Sequence, residues 1–113
     1  MQIYHNPRCS KSRQTLSILE ENGIKPDIIL YLQDAPTRAA LSAVLEKLGM
    51  QPSQIIRKGE QIYKENFKGK KLTEAEWLDA LVKYPKLIER PIVIKGDKAV
   101  LGRPPENVLD LIG

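Results

Sequence analysis

The sequence predicts an α/β fold: a four-stranded mixed sheet flanked by helices, with a helical insertion between an N-terminal βαβ unit and a C-terminal ββα unit. Three observations predict it. Within the first thirty-odd residues, two short apolar runs bracket a segment of helical period. The middle of the chain, about residues 36–88, carries helical patterning alone. After Pro91 the pattern changes, and two short apolar runs flank a tight turn before a last helical segment.

Gln2-Ile3-Tyr4 reads as the first strand. A helix from Ser10 to about Asn22 follows, with Leu16 and Leu19 on one face, Ile18 beside them and Gly23 as its left-handed stop. Asp27-Ile28-Ile29-Leu30-Tyr31 is an apolar, β-branched run and reads as a buried parallel strand. Thr37 caps a helix in which Leu41, Val44, Leu45 and Leu48 recur at i, i+3, i+4 and i+7, ended by Gly49. Pro52 opens a shorter turn through Ile56. The basic stretch Lys64-Glu65-Asn66-Phe67-Lys68-Gly69-Lys70-Lys71 reads as a solvated loop. Thr73 and Glu76 form a capping box ahead of Trp77, Leu78, Leu81 and Val82, and that helix must stop near Pro85. Pro91-Ile92-Val93-Ile94 and Ala99-Val100-Leu101 are strands joined at Gly96-Asp97. Pro104-Pro105 open a closing helix that carries Val108, Leu109, Leu111 and Ile112.

A chain of 113 residues is long enough for a single domain, 1–113, with one modest core. Its 42% hydrophobic content fits a soluble globular protein and argues against disorder. No apolar run approaches the ~20 residues of a membrane span, and polarity begins at His5, before any secretory h-region. The single cysteine excludes a disulfide scaffold and points to a reducing, cytoplasmic setting. One histidine and one cysteine are poor material for a structural metal site. The net charge of +4 favours an anionic partner, but aromatic residues are only 5% and the basic residues are dispersed, which argues for a small anion over nucleic acid.

That lone cysteine, Cys9, falls at the strand-to-helix turn His5-Asn6-Pro7-Arg8-Cys9-Ser10-Lys11-Ser12-Arg13. A free thiol has a pKa of about 8.5, and a helix N-terminus with neighbouring cations favours its ionised form. Arg8, Ser10, Lys11 and Ser12 argue against burial among apolar groups. Whatever Cys9 attacks, the reaction must be completed by a thiol from elsewhere. His5 either tunes the thiol when protonated or is held by local backbone groups. Three arginines stand beside structural punctuation: Arg57 after the turn at Ile55-Ile56, Arg90 before Pro91 and Arg103 before Pro104. A residue before proline is extended, so Arg90 and Arg103 flank the hairpin, and guanidinium groups suit bidentate contact with oxyanions. Spacing alone does not show whether they converge on Cys9.

His5-Asn6-Pro7-x-Cys9-x-x-Ser12-Arg13, with Ile56-Arg57-Lys58, Glu89-Arg90-Pro91-Ile92-Val93 and Gly102-Arg103-Pro104 following in order, resembles the glutaredoxin-coupled arsenate reductase (ArsC-like) family over Ile3 to about Leu111. The resemblance implies a thioredoxin/glutaredoxin-like fold with a helical insertion. It implies that Cys9 is the nucleophile, that Arg57, Arg90 and Arg103 hold arsenate, that His5 tunes the thiol and that Ser12 supports its ionised form. Pro91 would be the cis proline before the third strand. The implied activity is reduction of arsenate to arsenite through a cysteine–arsenate adduct, with glutathione as co-substrate, glutaredoxin as partner and no bound cofactor or metal. Arg8 and the Ser10-Lys11 pair, bulkier than the small residues at those places in familiar members, and the short C-terminus point to a shorter branch of the family. Two other functions remain open on the residues: a thioredoxin-like redox regulator or protein-binding module without arsenate reductase activity, and a monothiol glutathione-dependent transferase.

Overall fold

Tyr4 stands opposite Ile92, and Ile92 opposite Leu101, so three strands of the sheet are locked in one antiparallel register. The computed structural model describes residues 1–112. Strands β1 (Gln2–Tyr4), β2 (Asp27–Ile29), β3 (Ile92–Lys95) and β4 (Lys98–Leu101) form a four-stranded sheet in the order β2-β1-β3-β4. β1 is parallel to β2 and antiparallel to β3, and β3 is antiparallel to β4, the mixed sheet that the patterning predicts. Gly96, at φ +60°, supplies the positive dihedral required at the first central position of the β3–β4 turn.

The chain forms two compact units, one of Met1–Asp34 with the segment from Arg90 onward, the other Ala35–Glu89. In the first, helix α1 (Ser10–Glu21), a 3-10 turn at Pro105–Val108 and helix α5 (Leu109–Ile112) close over one face of the sheet. Their shared core is Ile3, Leu19, Val93, Val108 and Leu111, with Leu16 and Ile18 packed against it. Ile3 and Val93 are register partners, so strand pairing and core packing are specified together. Tyr4 and Tyr31 stack with centroids 6.3 Å apart.

The second unit contains helices α2 (Arg38–Leu48), α3 (Gln61–Asn66) and α4 (Glu74–Lys83), with 3-10 turns at Pro52–Ile55 and Pro85–Leu87. Thr37 Oγ1 accepts the Ala40 N–H at 3.1 Å to cap α2, and the reciprocal Thr73–Glu76 box caps α4 at 3.0 and 3.2 Å. Ser53 donates to the Glu74 carboxylate through both its backbone N–H and its hydroxyl. Ile56 and Ile88 form an isolated antiparallel bridge, with Arg57 N–H donating to Leu87 at 2.8 Å and Glu89 N–H to Ile55 at 2.9 Å. No helix among the described residues is long and apolar enough to cross a membrane.

Two expectations are corrected. The Asp27–Tyr31 run is not a buried strand: β2 ends at Ile29, pairs with β1 alone at the sheet edge, and leaves Ile28 50% exposed. An apolar run reports burial of a segment without saying which faces are covered, and here Tyr31, beyond the strand, takes the deep position at 1% exposure. The basic stretch at 64–71 is also not wholly a loop. Lys64–Asn66 belong to α3, whose Tyr63 stacks on Trp77 at 6.3 Å, while Phe67 meets Trp77 at 5.7 Å and Tyr84 at 5.9 Å.

A helix of six residues has no independent stability in water, so α3 depends on these rings. Trp77→Ala should destabilise the protein by about 2 kcal/mol or more and abolish amide-exchange protection across Gln61–Asn66. Urea unfolding and exchange measurements check this; retained protection in α3 would refute the dependence.

Candidate active site

Cys9 is the N-cap of α1, in extended backbone at φ −95° and ψ 123°, and its side chain makes no capping hydrogen bond. Its N–H donates to Asn6 O at 3.0 Å and its carbonyl accepts the first helical bond from Arg13 N–H at 3.0 Å. The amides of the first helical turn have no intrahelical acceptor, and here the capping side chain supplies none. The residue is 8% exposed, deeper than its polar neighbours suggest, although Arg8, Ser10, Lys11 and Arg13 around it are all exposed. The turn itself is tied by short-range bonds. Arg8 N–H donates to Asn6 Oδ1 at 3.0 Å, and Arg13 Nη1 donates to Pro7 O at 2.8 Å.

His5 and Ser12 are both buried and joined, with Nδ1 and Oγ 2.6 Å apart; Ser12 Oγ also accepts the Asn6 N–H at 3.0 Å. Burial lowers the His5 pKa from its ordinary value, and the charge of Arg13 lowers it further. Near pH 7 the imidazole is therefore neutral. A neutral ring carries one N–H and one lone pair, so the tautomer decides whether Ser12 spends its proton on His5 or keeps it for another acceptor. Burial and the Arg13 charge both favour the neutral imidazole, and its contact with Ser12 ties His5 into the turn.

The sheet register brings two of the arginines to the same end as Cys9. The chain leaves β1 at Tyr4 and reaches Cys9; Arg90 precedes β3, whose Ile92 pairs with Tyr4; Arg103 follows β4, whose Leu101 pairs with Ile92. Arg103 Nη1 donates to the Arg90 carbonyl at 3.3 Å, and Gly102 N–H donates to the Pro91 carbonyl at 2.9 Å. The Arg90–Pro91 peptide is cis, as the family resemblance implies, and so is Arg103–Pro104. Nε and Nη1 of Arg90 are buried without a hydrogen-bond partner among the described residues. A buried donor left unpaired costs about 1–3 kcal/mol, more when charged, so Arg90 carries charged donor capacity that an incoming anion can satisfy.

Arg57 lies in the Ala35–Glu89 unit. There its Nη1 is bonded to Glu60 Oε1, and its Nε is 3.7 Å from Glu89 Oε1. The sequence groups it with Arg90 and Arg103 as an anion holder; the structure shows it engaged by two carboxylates. Arg13, which the sequence treats as one more charge near the thiol, acts as a tie across the turn and, after burial, lowers the His5 pKa further. Its position within the Cys9 turn is the only signal that marks it.

The chain matches the ArsC family over residues 4–111. It is 48% identical to an arsenate reductase of Haemophilus influenzae over 112 residues, 97% of either chain. It is 38% identical to an arsenate reductase of Escherichia coli over 111 residues, 97% of this chain and 79% of that one. A solved arsenate reductase structure from Vibrio cholerae superimposes with a TM-score of 0.91 at 44% identity, covering 96% of this chain and 94% of the other.

With the native His5 pKa lowered, the unfolded chain binds more protons than the folded one between that value and the ordinary ~6.5. Stability should therefore rise with pH through this window and fall on acidification. Melting temperatures at pH 7.5 and 5.5 should differ less for His5→Gln than for the wild type; equal differences would show that His5 does not contribute.

Proposed function

The chain belongs to the ArsC family, and we propose accordingly that it is an arsenate reductase that forms a covalent adduct at Cys9 and draws its electrons from glutathione and glutaredoxin. The observation that carries this reading is the pair of buried, unpartnered Arg90 nitrogens at the sheet end that bears Cys9. A dianionic tetrahedral oxyanion supplies what those donors lack. The amides at the start of α1 offer it further donors, with the helix dipole oriented to favour negative charge.

Thiolate and arsenate repel each other, so the protein's contribution is to place them together and balance the charge. The Cys9 sulfur displaces one arsenate oxygen, which leaves as water after protonation, and an S–As(V) bond forms. Glutathione displaces a second oxygen to give a mixed cysteine–arsenic–glutathione species. A glutaredoxin thiolate then attacks the glutathione sulfur. The As–S(glutathione) bond breaks, its electron pair stays on arsenic, and As(V) becomes As(III) while glutaredoxin carries away a mixed disulfide. Water releases arsenite and regenerates the Cys9 thiol. A single cysteine suffices because the other two thiols belong to co-reactants, and the dependence on reduced glutathione suits the cytoplasm.

Arg90 and Arg103 are the principal anion holders in this reading. Arg57, the third arginine of the family pattern, already has the Glu60 carboxylate as its partner.

With arsenate, glutathione, glutaredoxin, glutathione reductase and NADPH, NADPH consumption should require arsenate and vanish in Cys9→Ser. Arsenate-independent turnover on a glutathionylated disulfide would instead favour a monothiol transferase. Arg90→Ala should raise the KM for arsenate roughly 10- to 100-fold, the loss expected for charge-assisted hydrogen bonds of about 1.5–3 kcal/mol. Arg57→Ala should raise it less, and the reverse order would dismiss the assignment of Arg90.

A further inference from the structure

Gly102 is buried between β4 and Arg103, with backbone dihedrals outside the left-handed region. Conformation therefore does not require glycine there; space does. A methyl group at Gly102 would stand 2.5 Å from Thr15 Oγ1, 2.7 Å from Pro91 Cγ and 3.0 Å from Thr15 Cγ2, all inside van der Waals contact. Neither neighbour is free to retreat. The Pro91 ring is buried and rigid. Thr15 is fully buried and β-branched, and its hydroxyl donates to Lys11 O at 2.8 Å while lying 3.4 Å from Gly102 O.

These contacts join the segments that carry the site. Thr15 lies on α1 six residues beyond Cys9, about 9 Å along the axis at 1.5 Å per residue. Pro91 is bonded to Arg90, and Gly102 to Arg103. The Gly102 N–H to Pro91 O bond ties the last two together. Resting on the oxyanion reading above, we propose that Gly102 is a positioning residue. By having no side chain, it sets the separation between α1 and the segments bearing Arg90 and Arg103, acting through Thr15 and Pro91, and so fixes how tightly the oxyanion is held. A displacement of about 1 Å at a preorganised site is enough to cost ~100-fold.

The test is Gly102→Ala, measured by turnover and by arsenate protection of Cys9 against iodoacetamide. The arsenate KM should rise roughly 10- to 100-fold with kcat changing less than about threefold. The arsenate concentration needed for protection should rise in parallel, while alkylation without arsenate keeps its rate. Adding Thr15→Ala to the same chain removes two of the three clashing atoms and should recover part of the loss, whereas Thr15→Ser, which retains the hydroxyl, should not. If Gly102→Ala fails to fold, Thr15→Ala alone opens the slot from the helix side and should still raise the arsenate KM several-fold. An unchanged KM and unchanged protection in Gly102→Ala, or in Thr15→Ala when it stands in, overturn the positioning role and leave the oxyanion reading intact. Absence of protection and of arsenate-dependent turnover in the wild type overturns that reading, and the inference with it.

Discussion

The antiparallel register that seats Ile92 between Tyr4 and Leu101 governs the rest of the structure. It gathers the exit of β1, the entry to β3 and the exit of β4 at one end of the sheet, where Cys9, Arg90 and Arg103 then arise from segments far apart in sequence. The same register pairs Ile3 with Val93, and both side chains are completely buried in the core beneath α1 and α5. A slip of one residue would turn Ile3 and Val93 away from that core and carry Arg90 out of line with the cysteine turn. Hydrophobic burial on one face and charge placement at one end are therefore consequences of a single alignment.

Charge at that end is arranged with little compensation. Arg8, Lys11 and Arg13 surround the turn, two Arg90 nitrogens are buried without acceptors among the described residues, and burial lowers the His5 pKa. A structural cluster of this kind normally acquires carboxylates, because buried donors without acceptors are costly in a low-dielectric setting. The inserted unit does so: Arg57 is met by Glu60 and Glu89, and Arg38 by Asp79. The contrast lies between Arg57 and Arg38, each met by a carboxylate, and Arg90, two of whose buried nitrogens have no partner among the described residues.

Elements with local signals were legible in the sequence. Thr37, Gly49, the Thr73–Glu76 box and the Gly96-Asp97 turn each carry their chemistry within four residues, and the helices and hairpin follow them closely. The exposure of β2 was not legible, since an apolar run looks alike at the centre and the edge of a sheet. Nor was α3, whose stabilising rings Tyr63, Phe67, Trp77 and Tyr84 are separated by stretches of lysine and glutamate. At the site, Arg90 and Arg103 were marked by the prolines after them. The engagement of Arg57 depends partly on Glu89, thirty-two residues away, and the packing at Gly102 depends on Thr15, eighty-seven residues away; neither has a local signature.

The outer rim of β2 bears on how this protein behaves when crowded. A strand end left open to solvent offers amides and carbonyls to any passing chain, and Ile28 adds an oily surface at that margin. Several features blunt the hazard. The strand is only three residues long, Pro26 immediately before it has no N–H to offer, and Asp27 adds a charge at its start. An intruding strand would find too few rungs to build a ladder on, so the molecule can keep a greasy margin without inviting fibrous self-association.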